Sequence, residues 1–437
     1  MNYDEAMIFF KKLTKFGWNP GLQRIQKLMS LLDNPEKKLK VIHIGGTNGK
    51  GSTSAMVASI LQEAGYRVGL FTSPHLHSYT ERIQINRVQI EKERLAQLLN
   101  TIKPYMEQMV ADGYEHPTEF EVYTAMALLY FAQEKVDFAV IEVGLGGLID
   151  STNVVDPLVA VITNVGMDHM DYLGSTIQEI TRVKAGIIKP GCKVVTAVDN
   201  REALEIIKEV CQKNKVELIQ VGKDIKYDVK SMTPEGTVFD FCGLNQTLTD
   251  LKTSLLGYHQ AVNGATAVTA ILALAYFGLK IPLEAVRRGL TKTVWAARLE
   301  VISQNPMILL DAAHNVDGAV SLKHALKHIF KYKKLILVIG MLADKERHKV
   351  MEALGPLAHT VIVTKPNNPR ATNWQSMAEV ASKYTSQVFV EEKIEGAVEK
   401  GLTLIEKDDL LCITGSIYMV ADARAYLMSK KGINKGK

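Results

Sequence analysis

The 437-residue chain is 47% hydrophobic and 23% charged, which excludes a disordered polar chain and is too long for one ordinary core, so two domains are expected. Its 52 basic and 47 acidic residues leave a charge of +5, part of it in a tail from Lys430 to Lys437 that reads as a solvated, frayed end, and this balance gives no argument for a nucleic-acid partner. No run reaches the roughly 18 uncharged apolar residues of a membrane span, the start Met-Asn-Tyr-Asp-Glu lacks the basic-then-apolar order of a signal peptide, and Cys192, Cys211, Cys242 and Cys412 have no paired metal spacing, so a cytoplasmic protein with reduced, mostly buried thiols is expected.

In chain order, the first predicted strand, Lys40 to Ile44, leads into Gly45-Gly46-Thr47-Asn48-Gly49-Lys50-Gly51-Ser52-Thr53 and then a helix-like stretch. Strand, glycine loop and helix N-terminus are what a nucleotide-triphosphate loop requires: backbone N–H groups turn around phosphate oxygens, the helix beginning near Ser52 adds positive potential, and Lys50 adds a full charge. Ser52 or Thr53 can offer a hydroxyl to Mg²⁺. Three residues rather than four separate Gly45 from Gly49, and Gly51 lies between the lysine and the serine, which departs from the common loop.

Further strands are predicted at Arg67 to Phe71, Asp137 to Val143, Leu158 to Ile162, Lys193 to Ala197 and Glu217 to Val221, separated by helices. Thr118 with Glu121, and Thr176 with Glu179, read as capping boxes. From Asp224 to Leu256 polar and apolar residues alternate around turns, predicting a small antiparallel excursion, followed by helices near Gln260 to Phe277 and Leu283 to Thr291. A second strand series, Met307 to Asp311, Lys334 to Ile339, Thr360 to Val363, Gln387 to Val390 and Leu410 to Thr414, predicts an independent domain beginning near Trp295 to Glu300. The fold class is α/β: an N-terminal P-loop ATPase domain (1–296) with a mostly parallel sheet and a small antiparallel excursion, then a C-terminal Rossmann-like α/β domain (297–437). A site between the domains is expected, because strands in such sheets aim their carboxyl ends at the ligand.

Polar residues cluster after these strands. Ser73 follows the second, Glu142 ends the third ahead of Gly144-Leu145-Gly146-Gly147, and Asp168-His169 follows the fourth. Ser73, Glu142 and a ring nitrogen of His169 around phosphate oxygens make a site for Mg²⁺, a hard cation, although a lone histidine is more often structural than a ligand. Lys184 sits among small and apolar neighbours, and taken alone it reads as an amphipathic lysine with its ammonium in solvent. Asp311-Ala312-Ala313-His314-Asn315 ends a strand with an acid, an imidazole and an amide, and a helix cap by Asn315 explains part of that grouping.

Together, Gly45 to Ser52, Thr72 to His75, Glu142 to Gly147, Asp168-His169, Lys184-Ala185-Gly186, His259-Gln260 with Asn263, Arg298-Leu299-Glu300, Asp311 to Asn315 and Leu342 to Lys345 occur in an order that resembles folylpolyglutamate synthase, including the bacterial dihydrofolate synthase form, within the Mur ligase superfamily. The resemblance implies an ATP-dependent ligase that adds L-glutamate to folate, or to dihydropteroate, through an acyl phosphate, using ATP and Mg²⁺. It implies that Gly49, Lys50, Gly51 and Ser52 hold the ATP phosphates, with Asn263, Arg298 and Asp311 completing the nucleotide site. Ser73, Glu142 and His169 match the metal ligands, and Lys184 matches a lysine carried as a carbamate. Thr118, Glu119, Phe120, Glu121 and Ile149 match the pteroate region, and His314, Ser416 and Tyr418 the neighbourhood that receives glutamate. Lys50, Lys184 and His314 are the catalytic candidates.

Three departures mark this chain. Leu148 stands where the family carries arginine, Ala296-Ala297 replace a proline-glycine pair, and Ala312 replaces a glycine. A lost glycine matters where φ is positive, and a lost arginine removes a bidentate anion contact. Two rivals stay open: a cell-wall Mur ligase, for which no UDP-binding domain precedes Gly45, and a folate- or nucleotide-binding protein with impaired turnover. The expected partners are small molecules acting on a monomer, with no membrane or nucleic acid.

Overall fold

The structure, a computed structural model, describes residues 1–13, 17 and 19–430; the expected frayed tail beyond Lys430 lies outside them. By compactness the chain falls into two units, the first comprising Met1–Asp228, Phe239–Lys252 and Val262–Thr293, the second Val229–Val238, Thr253–Ala261 and the chain from Val294 onward.

The first unit is built on β1 (Val41–Gly45), β2 (Val68–Phe71), β3 (Ile83–Ile85), β4 (Val88–Gln89), β5 (Phe138–Glu142), β6 (Pro157–Ile162), β7 (Lys193–Thr196) and β8 (Leu218–Gln220). Their order is β4-β3-β2-β5-β1-β6-β7-β8. Strands β2, β5, β1, β6, β7 and β8 run parallel. Strands β1 and β5 are buried along their whole length, which their continuous apolar runs require of strands covered on both faces. The antiparallel pair β3 and β4 closes the edge beside β2. Sequence reading misses this pair because three- and two-residue strands carry no measurable period, and its turn uses Asn86 and Arg87 at positive φ without a glycine.

β9 (Lys226–Thr233), β10 (Gly236–Gly243) and β11 (Gln246–Thr253) form the small separate sheet, in the order β11-β10-β9. Two-residue turns join them, so neighbours run antiparallel. The helix Tyr258–Ala273 continues as a 3₁₀ turn, Leu274–Phe277. This stretch is long and apolar enough to cross a membrane by length and composition, but 72% of its apolar window is buried inside the protein.

The second unit contains β12 (Glu300–Gln304), β13 (Met307–Leu310), β14 (Leu335–Ile339), β15 (Thr360–Thr364), β16 (Val388–Glu391) and β17 (Leu410–Thr414), ordered β12-β13-β17-β14-β15-β16. All pairs are parallel except β12 with β13. β12 begins at the end of the expected boundary, Trp295 to Glu300, and is not among the strands that the sequence predicts. Cys192, Cys211 and Cys412 are buried free thiols, whereas Cys242 is exposed.

Candidate active site

Four adjacent parallel strands of the first unit present their carboxyl ends at one edge, in the spatial order β2, β5, β1, β6. Ser73 follows β2, Glu142 ends β5, the glycine loop follows β1, and Asn164 to His169 follow β6. The register sets Ile44 beside Glu142 and Gly45 beside Ile162, so the loop leaves the sheet between a carboxylate and a polar turn.

The loop itself is tightly braced. Gly46 has φ 141°, and a Cβ there would lie 1.9 Å from the Thr163 hydroxyl, so both conformation and space demand glycine. The Asn164 side-chain oxygen accepts from the N–H groups of Thr47 (3.2 Å) and Asn48 (2.8 Å), and the Thr163 hydroxyl donates to the carbonyl of Asn48 at 2.7 Å. The following helix spans Lys50–Glu63, starting two residues earlier than expected, with Gly49 as its left-handed N-cap and Ser52 and Thr53 buried in its first turn. Asn263 is brought against the same point: a Cβ on Gly49 would lie 2.5 Å from its Oδ1. Thr163 and Asn164 therefore brace the glycine loop, and in the sequence their only local signal is position after a predicted strand.

Lys184 departs from its solvent-facing reading. Its side chain is buried, and Nζ donates to the carbonyl of Gly46 at 2.9 Å. Lys50 donates to the carbonyls of Gly46 and Thr47 at 3.1 Å each. Two lysine side chains thus converge on one loop carbonyl. Burial, reinforced by the charge of Lys50 and opposed by Asp168, pulls the Lys184 ammonium down to about 7 from its ordinary 10.5. Lys184 lies on the helix Ile177–Ala185, whose capping box of Thr176 and Glu179 forms as expected.

Glu142 is buried, and its Oε2 accepts the Ser73 N–H at 3.1 Å. His169 has φ 53° and precedes a one-turn helix, with Nε2 3.9 Å from the Asp168 carboxylate. Among the described residues no three His, Cys, Asp or Glu side chains gather as a metal cluster. A carboxylate, a hydroxyl and an imidazole delivered by neighbouring strands nevertheless suit a hard divalent cation that keeps several waters.

The second capping box also forms: the Thr118 hydroxyl accepts from the Glu121 N–H, and Glu121 Oε2 accepts from the Thr118 N–H and hydroxyl. The same Oε2 pairs with buried Arg24 at 3.1 Å, so the Glu121 carboxylate serves the helix start. Phe120 packs on the Gly144 backbone, where a Cβ would lie 2.4 Å from its Cζ, and its ring is 6.0 Å from Phe71. Asp150 accepts from the Leu145 N–H at 2.7 Å, holding the glycine loop that carries half-buried Ile149. Leu148 is 50% exposed, but its N–H donates to the carbonyl of Val183, on the helix that carries Lys184, at 2.7 Å. A cluster without sequence signal forms around Tyr123, which is on the same helix as Phe120 (Glu119–Gln133). The Arg82 guanidinium lies 5.3 Å from the rings of both Tyr79 and Tyr123 and donates to His75 Nδ1 at 2.8 Å. Burial and Arg82 pull His75 down to about 4; burial and the neighbouring Glu119 charge push Tyr79 up to about 12. His75, Tyr79 and Arg82 are local in the chain, and only the fold brings Tyr123 to them.

In the second unit, neighbouring strands β13, β17 and β14 deliver Asp311 to Asn315, Gly415 to Tyr418 and Leu342 to Lys345 to one edge. Buried Asp311 accepts from the N–H groups of Leu299 and Ala313, at 2.9 Å each, and its carboxyl is pushed up by burial and held down in part by the Arg298 charge. His314 Nδ1 lies 3.0 Å from the Ala312 carbonyl. Ser416 is buried at the start of the helix Ile417–Ser429, with Tyr418 in its first turn and 37% exposed. Asn315 caps the helix Val316–His328 through Gly318, as its residue type suggests. Of the two lost glycines, Ala297 occupies φ 58° and is fully buried, while Ala312 is absent from the positive-φ residues among those described.

This chain matches the Mur ligase middle domain over residues 44–271 and the Mur ligase glutamate ligase domain over residues 297–417, which defines an ATP-dependent ligase of that class. The dihydrofolate synthase/folylpolyglutamate synthase of Bacillus subtilis (strain 168) is 39% identical over 436 residues, covering 97% of this chain and 99% of that protein. The crystal structure of folylpolyglutamate synthase from Thermotoga maritima aligns with a TM-score of 0.86 at 38% identity, covering 99% of this chain and 98% of the other. Mycobacterium tuberculosis folylpolyglutamate synthase complexed with ADP aligns with a TM-score of 0.91 at 31% identity, covering 98% and 100%. The chain belongs to the dihydrofolate synthase/folylpolyglutamate synthase family of Mur ligases.

Proposed function

We propose that this chain uses ATP to join L-glutamate in amide linkage to a folate carboxylate: to dihydropteroate, giving dihydrofolate, and to the γ-carboxylate of a reduced folate, extending a polyglutamate tail. The observation that carries the reading is the convergence of Lys50 and buried Lys184 on the Gly46 carbonyl, at the sheet edge where Glu142 ends the adjacent strand. A carboxylate is a poor electrophile. Transfer of the ATP γ-phosphoryl group to its oxygen makes an acyl phosphate; the glutamate amine then attacks the acyl carbon, a C–N bond forms, the C–O bond to phosphate breaks, and the amine proton is lost.

Gly49, Lys50, Gly51 and Ser52 take the phosphates, the lysine charge acting where negative charge gathers during transfer. Asn263 adds a polar contact at Gly49, while the nucleotide roles of Arg298 and Asp311 rest on the family resemblance. Ser73, Glu142 and His169 would hold Mg²⁺, which when bound offsets charge on phosphate oxygens. Thr118, Glu119, Phe120 and Ile149 contact the pteroate part and Glu121 orients that segment; His314, Ser416 and Tyr418 receive glutamate. Residues 1–296 form the ATP- and folate-binding domain and 297–437 the glutamate ligase domain.

Lys184 acts as a carbamate. The neutral amine attacks the carbon of CO₂, an N–C bond forms and a proton leaves to solvent, converting an ammonium into an anion; an amine drawn down to about 7 supplies the neutral form near neutral pH. The test of the function is product mass after incubation of purified protein with ATP, Mg²⁺, L-glutamate and either dihydropteroate or tetrahydrofolate. Gain of one glutamate residue is the expected result, and no new product from either acceptor refutes it.

A further inference from the structure

Two histidines outside the catalytic edge form a pair that the ligase chemistry does not use. His324 and His328 lie on the helix Val316–His328, four residues apart, and both are exposed. That spacing places side chains on one helix face, as in helical motifs where two histidines grip one metal ion. Their ring centroids are 4.4 Å apart with the planes inclined at 40°. The Tyr258 ring stands edge-on at 6.2 Å from His324 and forms one wall.

We propose that His324 and His328 form a two-imidazole clamp for a borderline transition-metal ion, favouring Cu²⁺ over Ni²⁺ and Zn²⁺. At metal–nitrogen bonds of about 2.0–2.1 Å, two ligand nitrogens on one ion lie about 3 Å apart, which small rotations of these neighbouring rings reach. Affinity for imidazole nitrogen rises toward Cu²⁺ along the first row, and the hard Mg²⁺ ion selects oxygen instead. Among the described residues no third His, Cys, Asp or Glu joins the pair. Solvent therefore fills the other coordination positions, giving an open, exchangeable site. Around His324 stand Tyr258, His328 and half-buried His259, and the last, near Arg298, is drawn down to about 4 and adds no positive charge.

The experiment uses untagged, chelator-treated full-length protein titrated with Cu²⁺, followed by electron paramagnetic resonance, together with His324→Ala, His328→Ala and, as a control in the first unit, His77→Ala. The expected result is one Cu²⁺ per chain with splitting from two imidazole nitrogens, its binding weakened at least tenfold by either helix substitution and unchanged in His77→Ala. Ni²⁺ should raise the melting temperature of the parent protein but not of the two helix variants. Binding that survives either helix substitution, a one-nitrogen spectrum, or no binding by the parent overturns the proposal. These exposed positions leave folding intact, and circular dichroism verifies that.

Discussion

Replacing Lys184 with methionine separates the energetic cost of this lysine from its service. Methionine has nearly the same length and no charge, so the variant keeps the packing beside Gly46 and removes only the ionisable group. The interval between the ordinary 10.5 and the folded value of about 7 corresponds, at about 1.4 kcal/mol per pH unit, to about 5 kcal/mol. Below about pH 7 the ammonium is protonated in both folded and unfolded chains, and the whole cost is present. Between about pH 7 and 10 the unfolded chain holds the proton while the folded chain has released it, so the stability of the parent protein rises with pH. Lys184→Met lacks this term. Its stability advantage is therefore greatest near pH 7 and shrinks by about 1.4 kcal/mol per pH unit above that. Urea unfolding of both proteins in CO₂-free buffer at several pH values measures the difference, in which all other titrations cancel. The same variant should lose most ligase activity. A stability difference that stays constant with pH would show that the Lys184 ammonium is solvated and would remove the basis for its carbamate role.

Lys50→Ala should lower kcat about 10²–10³-fold with circular dichroism unchanged, since it removes a charge positioned for phosphoryl transfer; near-normal turnover by the folded variant rejects the loop's role. Glu142→Gln should raise the Mg²⁺ concentration for half-maximal activity at least tenfold, because an amide oxygen carries no formal charge, and an unchanged titration moves the metal elsewhere. Ala297→Gly should be nearly neutral in stability, relief of about 1–2 kcal/mol of left-handed strain offsetting a lost buried methyl and a freer unfolded chain, whereas Ala312→Gly has no strain to relieve and should destabilise by about 1–2 kcal/mol; equal effects in denaturant unfolding contradict the assigned conformations. Glu121→Ala should destabilise by about 1–3 kcal/mol, since it removes a buried charged hydrogen bond and the capping-box partner while Arg24 keeps Glu115 at 3.1 Å and the Asn19 carbonyl, and calorimetry showing no loss would mean that the Arg24–Glu121 pair contributes nothing.

Local pattern alone reveals the parallel strands, both capping boxes and the phosphate loop, because each is written in neighbouring residues: continuous apolar runs for strands buried on both faces, a threonine three residues before a glutamate for a helix start, glycines around Lys50 for a loop of inward N–H groups. The candidates for the site also come from the chain, through the order of motifs along it. Their energetics do not. Lys184 among small and apolar neighbours is compatible with a solvent-facing ammonium, and only the packing of its helix against Gly46 buries it and lowers its proton affinity. Ala297 and Ala312 both stand where the family has glycine, yet only backbone geometry reveals that the first carries the positive φ. The contact of Arg82 with the distant Tyr123 ring and the reach of Asn164 to two loop N–H groups likewise belong to tertiary structure, because strand order brings together residues whose separation along the chain hides any signal. Chemistry that depends on residue type and short spacing is a property of this sequence, whereas chemistry that depends on burial, on backbone dihedral and on contacts between distant segments is decided by the fold, since desolvation and strain exist only once the chain has packed.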